Sequence, residues 1–372
     1  MNPRSNVPLS EPMREILDLA RWAPSGDNTQ PWRFEPVGES SLRVHGFDTR
    51  EHCVYDLDGR PSRLSIGAML ETLRIAASRV GRRVEVRRDR SAPETAPVFD
   101  VDLVADPNGV PHPLAAFIES RSVQRRPLST RALSMSEKQA MEAAVGPGFR
   151  VHWFEAPALR RRFARLMFRS AGIRLGIEEA YRVHASVIEW KARESLDRIP
   201  DAAVGLDPLS LLAMRWAMRS WRRTRFVSRY LGGTLPPRLQ LDLLPAFLCA
   251  GHVVLSAQKE ASGPEERLDA DFEAGAAVQR FWLTAESLGL LHQPELTPLI
   301  FSRYAAEGRR FTGDEAALRE AAGVQRALAD LIGEDVLRRA AWIGRIGAGR
   351  RARARSLRLP LEALMRKGPQ GR

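Results

Sequence analysis

Gly67-Ala68-Met69-Leu70-Glu71-Thr72-Leu73-Arg74-Ile75-Ala76-Ala77-Ser78-Arg79-Val80-Gly81 and Gly275-Ala276-Ala277-Val278-Gln279-Arg280-Phe281-Trp282-Leu283-Thr284-Ala285-Glu286-Ser287-Leu288-Gly289 are two stretches of equal length, each opening Gly-Ala and closing on Gly. Ala68 matches Ala276, Ile75 matches Leu283, Ala77 matches Ala285 and Val80 matches Leu288. Both read as amphipathic helices. Two unrelated helices built from common small and apolar residues would explain any one match. The shared length, both glycines and four further positions together favour an internal duplication. A Gly-Ala start with a small-residue face suits close helix–helix approach at the centre of a dimer or pseudo-dimer.

Working outward, the first copy has a short helix over roughly Glu11–Trp22, stopped by Pro24. Strand-like runs follow at Phe34–Val37 and Leu42–Phe47 around a turn at Gly38. After the helix that spans Ser65–Val80, capped by Gly81, come Val84–Val86 and Val98–Val104. A turn-rich linker, Asp106–Pro113, closes this half. The second copy begins at a helix over Ser136–Ala144 and a strand at Phe149–Phe154. We therefore expect an α+β fold of two homologous halves, residues 1–110 and 111–372, forming an intrachain pseudo-dimer.

The second half carries an insertion of helical character over about 156–245, without counterpart in the first. Within it Arg215, Arg219 and Arg223 recur every four residues, flanked by Arg222, Arg225 and Arg229 and interleaved with Trp216 and Trp221. The commonest origin of such a pattern is a solvated basic face with the tryptophans packed against the body. An interfacial membrane helix, a nucleic-acid face and a lid over a ligand site are the alternatives.

Bulk properties fit this organisation. At 372 residues the chain is long for one core, and 44% hydrophobic with 27% charged residues is ordinary for a globular protein. No run of eighteen apolar residues occurs, so no membrane span is expected. Met1–Glu15 is polar and carries Pro3, Pro8 and Pro12, unlike a secretory signal. Cys53 and Cys249, the only cysteines, form no CxxC pair, so neither a disulfide framework nor a metal site is expected. A cytoplasmic location follows as the expectation. The net charge of +12 comes almost wholly from arginine, lysine occurring only at Lys138, Lys191, Lys259 and Lys367. A bias for arginine at surface positions accounts for such an excess, and an anionic ligand needs only two or three of them.

Three motifs carry chemistry. Pro24-Ser25-Gly26-Asp27-Asn28-Thr29-Gln30-Pro31-Trp32 offers hydroxyl and amide groups for a polar heteroaromatic edge, although the same residues make ordinary turns. In Arg121-Ser122-Val123-Gln124-Arg125-Arg126, two guanidinium groups four residues apart could clamp a phosphate, or form a surface turn before Pro127. The run Arg350, Arg351, Arg353, Arg355, Arg358, ahead of Leu359-Pro360, is a solvated tail or a second grip on the same anion.

The stretch Ala23–Phe34 resembles the flavin-contacting loop of the nitroreductase-like flavoproteins, and the whole resembles a fused, single-chain subgroup that includes dormancy-associated mycobacterial flavin-binding proteins. The resemblance implies a nitroreductase-like fold with FMN between the halves. It assigns the cofactor to Ser25, Asn28, Gln30 and Trp32 from the first half, and to Arg121, Arg125 and Arg358 from the second. Gln293 and Pro294, in His292-Gln293-Pro294-Glu295-Leu296, would pass the ring near N5. The complementary pieces look lost: Val145-Gly146-Pro147-Gly148-Phe149 leaves no room for a second polar loop, and Arg4-Ser5-Asn6 is at best a remnant clamp. One FMN per chain is implied. Val123 replaces the Ser or Thr usual in the clamp, and the insertion could cover the flavin face.

The resemblance implies an NAD(P)H-dependent oxidoreductase acting on nitroaromatic, quinone or similar acceptors, with no catalytic acid or base and no metal. His292 is read as structural, since hydride transfer to flavin needs no protein acid. The alternative is a storage or sensor protein whose flavin lies under the insertion. Expected partners are FMN, NAD(P)H and a small aromatic acceptor, not nucleic acid, and the fused halves could act as a monomer.

Overall fold

Helix α1, Glu11–Ala20, buries Met13, Ile16, Leu17 and Ala20, the spacing of one helical face, against the first half of the chain. It is followed by strands β1, Trp32–Pro36, and β2, Ser41–Gly46. Helix α2, Arg60–Ala77, leads to β3, Arg82–Asp89, and β4, Val98–Ala105. The computed structural model describes residues 9–230 and 232–366; Arg4-Ser5-Asn6 lies outside them. These four strands form an antiparallel sheet in the order β1-β2-β4-β3.

The second half repeats this plan. Helix α3, Met135–Val145, opens on a capping box between Ser134 and Glu137 and precedes β5, Phe149–Phe154. The insertion contributes α4, Pro157–Gly176, α5, Glu178–Val187, α6, Pro208–Ala217, and α7, Trp221–Tyr230. Then come β6, Gly251–Ala257, the long helix α8, Pro264–Ser287, and β7, Leu290–Pro294. Helices α9, Thr297–Ala306, and α10, Glu315–Ile332, precede β8, Ala340–Ala348. The sheet runs β5-β6-β8-β7, all antiparallel. Element for element this is the strand order of the first sheet. The duplication seen in two helices therefore extends to the topology around them.

Equivalence also locates the insertion. In the first half β1 and β2 are joined by the short Gly38 turn. In the second half their counterparts β5 and β6 still pair, Phe149 opposite Ala257, but the hairpin tip opens into the insertion. The insertion and helices α9 and α10 share a core of their own around Phe163, Leu299, Phe301 and Leu328.

Helices α2 and α8 cross at the centre. A Cβ on Gly67 would lie 2.0 Å from the Phe272 carbonyl oxygen, and one on Gly275 would lie 2.0 Å from that of Leu64. Phe272 precedes Gly275 by three residues, as Leu64 precedes Gly67, so the two contacts are reciprocal, as a pseudo-twofold rotation exchanging the helices requires. Phe272 packs into the core of the first half and Leu64 into that of the second. The polar contacts obey the same symmetry with altered chemistry. Thr72 is hydrogen-bonded to Gln279 at 2.9 Å, and at the related pair Glu71 meets Arg280 at 3.1 Å. The equivalent positions Arg63 and Asp271 face each other across the axis at 3.0 Å.

Candidate functional site

A cavity of about 390 Å³ lies between the halves. Its walls include Ser25, Asp27 and Asn28, the Arg121–Arg125 segment, Gly275 and Trp282 of α8, Gln293 and Pro294 at the end of β7, and Arg358. This is the size range of small-molecule sites. Of the nine residues singled out in the sequence, seven line it.

The loop after α1 is held in an unusual backbone. Asp27, Asn28 and Gln30 all have positive φ, at 49°, 64° and 49°. Left-handed non-glycine residues cost energy, and three within four residues persist only where surroundings over-determine them. The Ser25 hydroxyl accepts from the Gln30 amide at 3.0 Å. The Asn28 side-chain amide lies within hydrogen-bond distance of the carbonyls of Leu196, Arg198 and Leu357, while its Oδ1 is buried without a partner. Gln30 and Trp32 do not reach the cavity. Gln30 is fully buried, donating to the carbonyls of Asn28 and Leu196 and accepting from the Leu359 amide. Trp32 is fully buried in the first core. Both support the loop: Gln30 ties it to the segments at Leu196 and Leu359, and Trp32 opens β1 with its ring in the core.

The two arginines Arg121 and Arg125 sit on an extended segment. Residues 121–125 run extended beside β7, with Val123 bridged to His292. In extended chain four residues span about 13 Å, whereas in a helix they would be neighbours. Arg121 and Arg125 therefore stand at different places on the cavity wall.

Arg121 instead converges with Arg358. Both donate to the Trp22 carbonyl oxygen, at 3.2 and 3.4 Å, and Arg358 donates also to the Ala23 carbonyl at 3.0 Å. The Arg121 guanidinium sits 4.5 Å from the centre of the Trp282 ring. Both side chains are buried, and among the described residues neither pairs with a carboxylate. Burial, and then the neighbouring Arg355, lowers the Arg121 pKa to about 10; burial and Arg121 push Arg358 well down. Two buried cations held by carbonyls and each other's neighbourhood form a site that an anion would relieve.

Arg125 donates to the Ala203 carbonyl at 3.2 Å, with burial lowering its pKa to about 10 against the opposing pull of Asp27. Burial raises the Asp27 carboxyl. Arg174 and Asp242, paired at 2.8 Å, and His184, bonded to the Tyr55 hydroxyl at 3.1 Å, add polar groups from the insertion side.

Sequence reasoning missed the support beneath this wall. Arg345 on β8 pairs with Glu295 at 2.8 Å and donates to the Arg125 carbonyl at 2.7 Å. Glu295 in turn meets His252 Nδ1 at 2.7 Å, and His252 Nε2 meets the Ala246 carbonyl at 2.7 Å. Both ring nitrogens face acceptors, so His252 carries two protons; despite burial, Glu295 raises its pKa to about 10. The signal was present: Arg345 is the one charge inside the otherwise apolar run Ala340–Ala348, and a charge buried in a strand needs partners. His292 is fully buried, accepts from the Trp342 indole at 3.0 Å, and is lowered to about 3 by burial, which keeps it neutral. Among the described residues no cluster of His, Cys, Asp or Glu has the form of a metal site, and no helix is long and apolar enough to cross a membrane.

No family model matches the sequence. Two curated proteins of Mycobacterium tuberculosis, from strains CDC 1551 / Oshkosh and H37Rv and each named "Putative NAD(P)H nitroreductase", are 34% identical over 147 residues, 39% of this chain. The chain resembles the nitroreductases. The match spans 42% of the length of these relatives. Among solved structures, a nitroreductase-like family protein from Bacillus cereus overlays 69% of this chain and 97% of its own, at TM-score 0.37 and 14% identity. An FMN-dependent nitroreductase from Mycobacterium smegmatis, solved with NADPH, overlays 68% of this chain and 98% of its own, at TM-score 0.36 and 14% identity.

Proposed function

We propose that this chain binds one FMN in the cavity between its halves and acts as an NAD(P)H-dependent oxidoreductase on nitroaromatic, quinone or similar acceptors. The observation that carries the reading is the pair Arg121 and Arg358, buried, convergent and without a carboxylate. That pair would hold the phosphate. The unpartnered Asn28 Oδ1 and Gln293 Oε1 offer acceptors along the wall, and Arg125 with Asp27 offers a donor–acceptor pair at another point on it. These groups fit a molecule with a dianionic end and a polar heteroaromatic body.

Bound FMN would supply hydride acceptance from a nicotinamide and electron delivery to the acceptor. The chain's own residues position and exclude water; none is proposed as an acid or base. Arg345 and Glu295 fix the backbone of Arg125 and the β7 end, so the wall is built before a ligand arrives. Protein purified with a yellow chromophore that releases FMN on denaturation, at one per chain, is the expected result. Colourless protein that takes up no added FMN would sink the reading.

A second reading, an FMN-holding protein without turnover, is favoured by one observation: the insertion supplies Arg174, His184, Ile188 and Leu241 to the cavity wall. Anaerobic NADH or NADPH separates the two. Bleaching of the bound flavin supports the enzyme; flavin that stays oxidised over hours supports storage.

A further inference from the structure

The hairpin of helices α6 and α7 presents a surface that the flavin site does not use. From Pro208 to Leu241 the sequence contains seven arginines and no Asp or Glu. On α6, beyond Pro208 at its start, the exposed positions are Leu209, Leu212, Ala213 and Trp216, one helical stripe, and Arg219 follows. On α7 they are Arg222, Arg225, Phe226, Arg229 and Tyr230. The tryptophan at 216 is not packed against the body, as a solvated basic helix would have it. Trp216 is 46% exposed, Leu209 76%, Phe226 51% and Tyr230 68%. Among the described residues no carboxylate lies within ion-pair distance of Arg219, Arg222, Arg223, Arg225 or Arg229.

The hairpin is nevertheless a built element. Arg223 lies over the Trp216 ring at 5.2 Å, and the Thr224 hydroxyl donates to the Ala217 carbonyl at 2.9 Å, joining the two helices. Arg215 ties α6 to Asp201 at 2.7 Å, and Tyr181 ties the hairpin to α5 through the Met218 carbonyl and the Trp221 ring. Exposed apolar groups on an anchored scaffold are not the result of a loose loop.

We propose that this hairpin docks on an anionic lipid surface. The reasoning is complementarity. A second copy of the same surface would bring arginine against arginine. A nucleic-acid backbone would satisfy the arginines but offers nothing to Leu209 and Leu212, which cannot stack on bases as aromatic rings do. A bilayer interface presents phosphates and hydrocarbon within a few ångströms of each other, the pairing that a basic face beside Leu, Trp and Phe requires. The inference is independent of the flavin reading.

The test is co-sedimentation of the full chain with vesicles of phosphatidylcholine containing 30% phosphatidylglycerol (about a third anionic lipid, a composition at which polybasic segments bind), against pure phosphatidylcholine. Binding to the anionic vesicles, weakened by salt, is expected. Arg222→Gln, Arg225→Gln and Arg229→Gln should each lower the partition coefficient about fivefold. Leu212→Ser with Phe226→Ser should lower it about tenfold, with circular dichroism unchanged. No binding to anionic vesicles at low salt overturns the proposal. So does binding that the Leu212/Phe226 pair leaves intact, or tight DNA binding in the absence of vesicle binding.

Discussion

Two cavities occupy related places on this molecule, and they differ in how their arginines are paired. The first is the site between the halves. The second, about 490 Å³, lies across the pseudo-twofold axis. Where the first is lined by Leu64, Ala68, Gly275, Val278 and Trp282, the second has the matching positions Phe272, Ala276, Gly67, Leu70 and Arg74. Where the first has the Ser25–Asn28 loop, the second has Gly146-Pro147-Gly148. The second cavity is also rich in arginine, but its arginines are answered. Arg88 pairs with Glu265 and with Asp269 at 2.8 Å, and Glu71 takes Arg74 at 3.2 Å and Arg280 at 3.1 Å. In the first, Arg121 and Arg358 have carbonyls and a tryptophan face. The presence of arginine does not distinguish a site; buried positive charge left without a carboxylate does.

The comparison can be broken or sharpened by experiment. The largest effect is expected at the axis that relates the cavities. Gly67→Val and Gly275→Val each drive a side chain into backbone, so both should lose about 3 kcal/mol or more in chemical denaturation, and by nearly equal amounts. Unequal losses would argue against a true pseudo-twofold packing. Next, Arg121→Ala should weaken FMN binding about 10- to 150-fold in titrations, the worth of a charge-assisted bond, while Arg88→Ala should leave affinity and stoichiometry unchanged. Flavin content that falls with Arg88→Ala would place a ligand in the second cavity after all.

A smaller effect concerns the first cavity without ligand. Because Arg358 is buried and uncompensated, Arg358→Met should raise the melting temperature of the FMN-free protein by a few degrees while lowering FMN affinity. A fall in both would mean that the carbonyl contacts alone satisfy the guanidinium. The smallest is a pH dependence. His252 is protonated in the folded protein up to about pH 10, against about 6.5 for a free imidazole. Its contribution to stability is complete below the unfolded value and is lost as pH rises from there through the folded one. Denaturation curves between pH 6 and 10 should show that decline, and Glu295→Gln should flatten it.

Much of this was legible in the chain. The Gly67 and Gly275 helices declared the duplication, and seven of the nine residues named from Pro24–Trp32, Arg121–Arg125, Gln293–Pro294 and Arg358 line the cavity between the halves. The exceptions have physical causes. Trp32 points into the first core because β1 begins there, whereas Gln30 is taken up by its bonds to Asn28, Leu196 and Leu359. Arg125 parts from Arg121 because the segment is extended, and no spacing in the sequence says whether four residues are a helical turn or about 13 Å of strand. Trp216 is exposed because it lies on the outward stripe of α6 with Leu209 and Leu212, with the Arg223 guanidinium over its ring.

By itself the sequence determined the repeat, the polar loop and the supply of arginines, since these depend on local composition and spacing. Tertiary structure decided which arginines lack a carboxylate, and that is what separates the two cavities. It also shows what fusing the halves permits. A residue facing its own copy across a twofold axis must tolerate itself, and Arg63 beside another Arg63 would not. In a single chain its counterpart is free to differ, and here it is Asp271, 3.0 Å away.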